Sequence, residues 1–330
     1  MGTFFGIDVG TNSVKGISVD KSGRILTSSS NPIPMETPKP GWSQQHPEIW
    51  WDAVCIALRE LVAKGGGPPS AISVSGQMHS LVAVDAEGKV VYPAILWCDQ
   101  RTESQCAKVT DLLGGEEKVI GSFGNPVLTG FTLPKILWLA ESEPERFKKI
   151  KKWMLPKDYV VMKLTGRVVT DFSDASGTSM LDIEGEFDER IPEIIGIDPR
   201  SYPELVGSGT IVGTVSSPSL SELEGIPVVN GGADNASSAY GCGVEKTGDA
   251  MISIGTSGTV VALTKRGIPD RSGGIHLFRH VTGRDFYHMA VILSATNSLN
   301  WFKDRFGNDL SFESLEEMVK QTPADRKSVV

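Results

Sequence analysis

Asp234 is the residue of this chain best placed by its neighbours to move a proton. It follows Gly231-Gly232-Ala233 at the end of a short apolar run, and the small residues from 236 to 240 then read as a helix. A carboxylate at a helix's first turn feels the positive end of the macrodipole. Asp234 is therefore expected to be ionised near neutral pH. An ionised carboxylate can orient and deprotonate a hydroxyl as it attacks a phosphate. Asp is also a preferred helix N-cap, so a purely structural aspartate is the competing reading.

A second group of residues suits a small polyol. His79 offers two ring nitrogens to hydroxyls, and Gln77 offers a donor and an acceptor. Met78 is a soft apolar wall that can fit the C–H face of a sugar. Trp97, within Ala94-Ile95-Leu96-Trp97-Cys98-Asp99, could form another wall. Core packing competes for Met78 and Trp97, and a satisfied loop histidine competes for His79.

Two loops suit phosphate. Gly6-Ile7-Asp8-Val9-Gly10-Thr11-Asn12-Ser13 and Ile252-Ser253-Ile254-Gly255-Thr256-Ser257-Gly258-Thr259 each run from an apolar strand into a hydroxyl-rich Gly-Thr turn. Glycine lets the backbone approach an anion closely, and successive N–H groups form a nest for it. Asp8, at the end of the first strand, can hold a magnesium ion directly or through its waters; the second copy has Ser253 there. The two loops lie 255 − 10 = 245 positions apart, the size of a domain. The repeat points to a nucleotide held between two lobes, with the metal belonging to one of them.

The elements that must carry these residues are legible in outline. Residues 4–9, 14–20 and 24–29 read as a strand meander. A helix begins near Pro47, with Trp50, Ala53, Val54, Ala57, Leu58 and Leu61 on one face. It stops at Gly65-Gly66-Gly67, and strands follow at 71–75 and 81–84. Residues 99–165 read as mainly helical, with Thr132 able to cap one helix. Residues 174–178 read as a polar turn, and 227–229 as a buried strand. The lobe boundary is placed so that 1–245 form an N-terminal lobe and 246–330 part of a second. In that second part, strands are expected at 260–263 and 285–291 and a helix at 294–305.

Bulk properties exclude several classes. The chain has 330 residues, 40% hydrophobic and 22% charged, with a net charge of −8. Nucleic acid is not an expected partner, because phosphate neutralisation needs clustered Lys and Arg. No stretch approaches the roughly 18 apolar residues that a membrane span needs. Four cysteines without close pairing read as reduced thiols in a cytoplasmic protein. His276 and His280 are four apart, but their surroundings read as strand, where that spacing has no metal-binding meaning.

Taken together, these motifs resemble the FGGY carbohydrate kinases, and within them the xylulokinase branch. The resemblance rests on Gly6 to Thr11, Ser75-Gly76-Gln77-Met78-His79, Pro93 to Trp97, Leu155-Pro156-Lys157-Asp158-Tyr159, Ser173 to Thr178, Gly231 to Asn235 and Ser253 to Gly258. Gly130 to Leu139 also looks like a signature of the family. The resemblance implies an α/β fold of two actin-like, ribonuclease-H-like lobes around a nucleotide cleft. It implies ATP-dependent phosphorylation of a ketopentose, D-xylulose, with Asp234 as the base on the 5-hydroxyl. Met78, His79 and Asn235 then belong to the sugar pocket and Asp8 supports Mg2+. Thr11, Asn12 and the Gly255-Thr256-Ser257-Gly258 loop face the phosphates.

Two departures stand out: Cys98 where many relatives carry Asn, and Ser142 where an amide or acid is usual. The family's adenine-binding glycine motif is expected beyond Val330. The second lobe is thus expected to be incomplete as given, weakly active or inactive, with uncovered apolar faces that favour a homodimer. A kinase for ribulose, fucose or gluconate, and a non-catalytic sugar-binding or actin-like assembly protein, are the alternatives.

Overall fold

The hydroxyl-rich turn at Gly10 to Ser13 folds strand β1 (Phe4–Val9) back onto β2 (Ser13–Val19), which pairs antiparallel with β3 (Ile25–Pro32). The computed structural model describes residues 2–65, 67–255, 257–307 and 310–322. Gly66 and Thr256, both named in the sequence reading, lie outside the described residues, as does the chain from 323 onward.

β1 alternates as a half-buried strand should: Phe5, Ile7 and Val9 enter the core. Helix α1 (Pro47–Gly65) lays Trp50, Ala53, Val54, Ala57, Leu58 and Leu61 against the sheet. It comes so close that a Cβ on Gly16 would lie 3.0 Å from Leu61 and 3.2 Å from Ile7. Three further strands, β4 (Ala71–Gly76), β5 (Ile211–Thr214) and β6 (Pro227–Ala233), complete a six-stranded sheet in the order β5-β6-β4-β1-β2-β3. β1, β4 and β6 run parallel. Helix α2 (Asp234–Gly241) leaves directly from the end of β6. A separate four-stranded sheet is built from Gln44–Gln45, Leu81–Val84, Val90–Ile95 and Lys152–Met154.

Some local expectations give way to tertiary contacts. Between 99 and 165 there are five helices, but Lys152–Met154 is a strand. Thr132 does not cap its helix. It is the first helical residue of Thr132–Ser142, preceded by Phe131, and its hydroxyl donates to the His79 carbonyl at 3.0 Å. The polar turn at 174–178 begins as a helical turn, Phe172–Ala175, capped by Asp171.

The chain divides into two compact units: Met1–Met251 with Val261–Met289, and Ile252–Val260 with the described residues from Ala290 on. The first unit takes in Val261–Met289 because Val261, Phe278, Tyr287 and Met289 share a core with Met78, Phe131, Ala233 and Ala236. In the second unit, Thr296 donates its N–H (3.0 Å) and its hydroxyl (2.7 Å) to the Gly255 carbonyl. Its helices Thr296–Phe306 and Phe312–Lys320 carry exposed Trp301, Phe302, Phe306, Met318 and Val319.

The first unit also holds a buried ionic cluster. Lys157 Nζ lies 2.6 Å from Asp158 Oδ1, 3.3 Å from Asp171 Oδ1 and 3.8 Å from Asp174 Oδ2, all four side chains being fully buried. Burial alone would neutralise Lys157, but the three carboxylates outweigh it and raise its pKa. Asp174 is the outlier. Both its oxygens are buried without a hydrogen-bond donor, and burial pushes its pKa well up. Asp171 Oδ2, by contrast, accepts from Ser173 N, Ser173 Oγ and Ser208 Oγ. Asp174→Asn is expected to cost less than Asp171→Asn, because neither Asp174 oxygen accepts a hydrogen bond and its contact with Lys157 is the longest of the three. Asp171→Asn should cost about 1–3 kcal/mol by spoiling those donors. Urea unfolding of both variants at neutral pH checks the contrast.

Candidate active site

Sheet register brings the predicted residues together. Val9 pairs with Gly76, and Ala233 pairs with Gly76, so three parallel strands end at one level. Open α/β sheets bind ligands at the carboxyl ends of such strands. Asp8 and Gly10 leave from β1, Gln77 to His79 from β4, and Asp234 and Asn235 from β6.

The end of β6 is shaped by its glycines. The register shifts between Asn230 and Ala233. A Cβ on Gly231 would lie 2.0 Å from the Val74 carbonyl oxygen, which only a glycine avoids. The kink turns the chain sharply into α2 and sets Asp234 as its first residue.

Asp234 is not the N-cap; Ala233 is, and no side chain caps this helix. The Asp234 carboxyl instead accepts from Asn235 N at 2.7 Å and Asn235 Nδ2 at 3.0 Å. Nor is it an ordinary ionised acid. Burial first, and then the charge of Asp8, push it from 3.8 up to about 7. A macrodipole worth about 0.3–1 kcal/mol changes acidity by less than tenfold, whereas this shift is about a thousandfold. Burial wins, and the expectation of a carboxylate stabilised by the helix is corrected. Asp234 is half ionised near neutrality, which is where a general base works best.

Asp8 is raised too, by burial, with Lys15 acting against it. Its Oδ1 is buried without a hydrogen-bond partner in the structure. Lys15, which the sequence reading passed over, sits opposite Asp8 in the β1–β2 register. The signal was available, since a turn at Gly10 to Ser13 sets Val14 against Val9 and so Lys15 against Asp8. An open cleft of about 440 Å³ lies here, lined by Asp8, Gly10, Thr11, Asn12, Lys15 and Trp97 among others. Asn12 is exposed on it. A Cβ on Gly10 would lie 2.9 Å from the Ser13 carbonyl, so the turn needs its glycine.

Gln77 and Thr11 spend their polar groups on each other. Gln77 is 2% exposed; its Oε1 accepts from Thr11 Oγ1 at 3.3 Å and from Ser80 Oγ at 3.1 Å, while Nε2 donates to the Gly10 carbonyl at 3.3 Å. Trp97 closes a ring: its indole N–H donates to Thr11 Oγ1 at 2.8 Å and its backbone N–H to Ser80 Oγ at 3.0 Å. Gln45 supports the loop from outside, donating to the Thr11 carbonyl at 2.8 Å. Gln77 thus ties the Gly10 to Ser13 turn to the segment that follows β4, a role its residue type alone did not reveal. The Trp97 ring is 39% exposed.

His79 has a fixed tautomer. Its Nδ1 lies 2.6 Å from the Gly177 carbonyl, so that nitrogen carries the proton. Burial lowers its pKa to about 3, so the ring is neutral and Nε2 presents a lone pair. The ring stacks on Phe131 with centroids 4.6 Å apart. His79 has φ +68°, and Lys135 Nζ donates to its carbonyl at 3.0 Å. Met78 is buried in the core beneath, with Tyr287 OH 3.8 Å from its sulfur. Gly177 makes the close approach possible, since a Cβ there would lie 2.4 Å from the His79 ring. Gly177→Ala is expected to expel the ring and to weaken any polyol held at His79 by up to about tenfold, the worth of one hydrogen bond. Titration calorimetry reads the change.

Residues 3–241 match the FGGY family of carbohydrate kinases, N-terminal domain. This chain belongs to that family. The FGGY chain is 45% identical over 326 residues to the xylulose kinase of Lactococcus lactis subsp. lactis, an alignment covering 96% of this chain and 64% of that protein. It therefore spans about two thirds of that relative's length. A crystal structure of a xyloylose kinase from Brucella ovis superposes with a TM-score of 0.88 at 33% identity, covering 97% of this FGGY chain and 66% of the other. A gluconate kinase from Lactobacillus acidophilus superposes with a TM-score of 0.92 at 24% identity, covering 98% and 66%. That likeness speaks for the fold alone. The fold is the actin-like, ribonuclease-H-like one expected. Among the described residues, no helix is long and apolar enough to cross a membrane, and no cluster of three or more His, Cys, Asp or Glu could hold a metal. The four cysteines are free.

Proposed function

We propose that the whole protein to which this chain belongs is a cytoplasmic kinase transferring the γ-phosphate of ATP to the 5-hydroxyl of D-xylulose. Residues 1–245 are its sugar-binding lobe, and 246–330 begin its nucleotide lobe. The observation that carries this reading is the meeting of β1, β4 and β6 at one level, with the Asp234 carboxyl tuned to about 7.

In phosphoryl transfer the protein mainly orients the reactants and neutralises charge. Asp234 accepts the proton of the attacking hydroxyl, and Asn235 holds its carboxyl in place. His79 Nε2 accepts a sugar hydroxyl, and Trp97 walls the pocket. Asn12, exposed on the cleft, offers its side-chain amide to phosphate, while Gly10 and Thr11, held by the Ser13 carbonyl and by Gln77, shape the turn that carries it. The Gly255-Thr256-Ser257-Gly258 segment is the second phosphate loop of this reading, and the Gly255 N–H braces it by bonding the Ser257 carbonyl at 2.8 Å. The unpartnered Asp8 Oδ1 suits a hard cation, and Mg2+ there would neutralise phosphate oxygens.

The sugar assignment draws on the L. lactis relative and on His79. A neutral imidazole offering a lone pair suits a hydroxyl and repels a carboxylate, which disfavours gluconate. Kinetics of the full-length protein on xylulose, ribulose, fucose and gluconate test this; a higher kcat/KM for another sugar would overturn the xylulose assignment. Calorimetry of the 330-residue chain with D-xylulose should give measurable binding. Absence of both binding and phosphorylation would favour a non-catalytic protein.

A further inference from the structure

The Ala233 N–H stands in an unusual position. It belongs to the residue immediately before Asp234, beyond the register shift that interrupts the β6 ladder. Deep in the protein an unpaired amide is costly. Ser173 Oγ takes it at 3.0 Å, from a helical turn distant in sequence. The serine hydroxyl has one proton, and it goes to Asp171 Oδ2 at 2.5 Å. Its lone pair is therefore aimed at the Ala233 amide. Asp171 is itself anchored, with Oδ1 3.3 Å from Lys157 Nζ and Oδ2 also accepting from Ser208 Oγ at 2.8 Å. Gly232 leaves the space for this contact, since a Cβ there would lie 2.9 Å from Ser173 Oγ.

We propose that Ser173, oriented by Asp171, is a positioning residue for the proton acceptor Asp234, holding the strand-to-helix junction through the Ala233 amide. The proposal rests on Asp234 being the base. Lys157, Asp171 and Ser173 are fully buried, and together they fix the backbone from which the carboxylate projects. A shift of about 1 Å at a reacting group can cost about a hundredfold in rate.

The test compares Ser173→Ala with Ser208→Ala. Both remove a hydroxyl donor from the same Asp171 oxygen, but only the first frees the Ala233 amide. In the full-length enzyme, Ser173→Ala should lower kcat about 10- to 100-fold with the sugar Kd changed less than about threefold, while Ser208→Ala keeps kcat within about threefold. Hydrogen exchange at Ala233 should accelerate in the first variant and not in the second. Equal kcat losses, or unchanged exchange at Ala233 in Ser173→Ala, would overturn the proposal. If Ser173→Ala does not fold, Ala233 exchange in the unaltered chain decides: protection supports the hydrogen bond, and exchange at a free amide's rate sinks it. The exchange arm needs no turnover. An absence of xylulose phosphorylation by the unaltered enzyme would therefore count against the proposed function and leave the positioning contact to be judged separately.

Discussion

Asp234→Asn should remove turnover while leaving the sugar bound. General-base help is worth roughly 10² to 10⁴ in rate, so kcat should fall at least about a hundredfold. D-xylulose affinity by calorimetry should change by less than about threefold, because Asn keeps the size and one acceptor. Retention of more than about a tenth of the rate would exclude a base at this position. The same variant carries a second signature, in stability. A carboxyl raised from 3.8 to about 7 in the fold binds its proton more tightly there than in the unfolded chain. Its contribution is fully present below about pH 4 and lost as pH rises through 7. Asparagine imitates the protonated acid at every pH. The variant should therefore gain on the parent above pH 7, and the difference should vanish in acid. Thermal unfolding at several pH values reads this directly, in the 330-residue chain and without ATP.

Asp8→Asn should lower two separate observables together. It removes the hard oxygen proposed for Mg2+, so kcat should fall at least about a hundredfold, a loss of several kcal/mol of transition-state stabilisation. It also removes the charge that helps raise Asp234. The Asp234 carboxyl should then titrate below about 7, a change visible in carboxyl carbon NMR of the 330-residue chain. A slower enzyme with a stronger acid at Asp234 is hard to explain by general damage to the fold. An unchanged Asp234 titration would show that the two carboxyls do not feel each other.

Much of the scaffold was legible because it is local. The meander at the N-terminus, the α1 face and the strand of residues 71–75 follow from periodicity and turn residues, and each appears within three residues of its expected bounds. The place of Asp234 was legible as well, because two glycines and an acid at a strand end marked the first turn of a helix, where the structure has it. Its charge state was not. That depends on burial and on Asp8, which lies on another strand, and neither is visible to a reading of neighbours. Thr132 failed for a related reason. A hydroxyl that could cap its own helix is drawn instead to the His79 carbonyl, and the better partner is distant in sequence. Ser173 stood in the sequence only as the first residue of a family-like segment; its contact with the Ala233 amide depends on the kink in β6 and carried no local signal.

The closed circuit Thr11–Gln77–Ser80–Trp97 has a consequence for how this protein can change. Gln77 accepts from both hydroxyls, and Trp97 reaches Thr11 through its indole and Ser80 through its backbone N–H, so removing Gln77 strands two hydroxyls at once. Single substitutions within it should be far more harmful than matched pairs, and their costs should not add. On the proposed function, a change at the Trp97 wall is felt through Thr11 in the Gly10 to Ser13 turn, which makes this corner slow to drift.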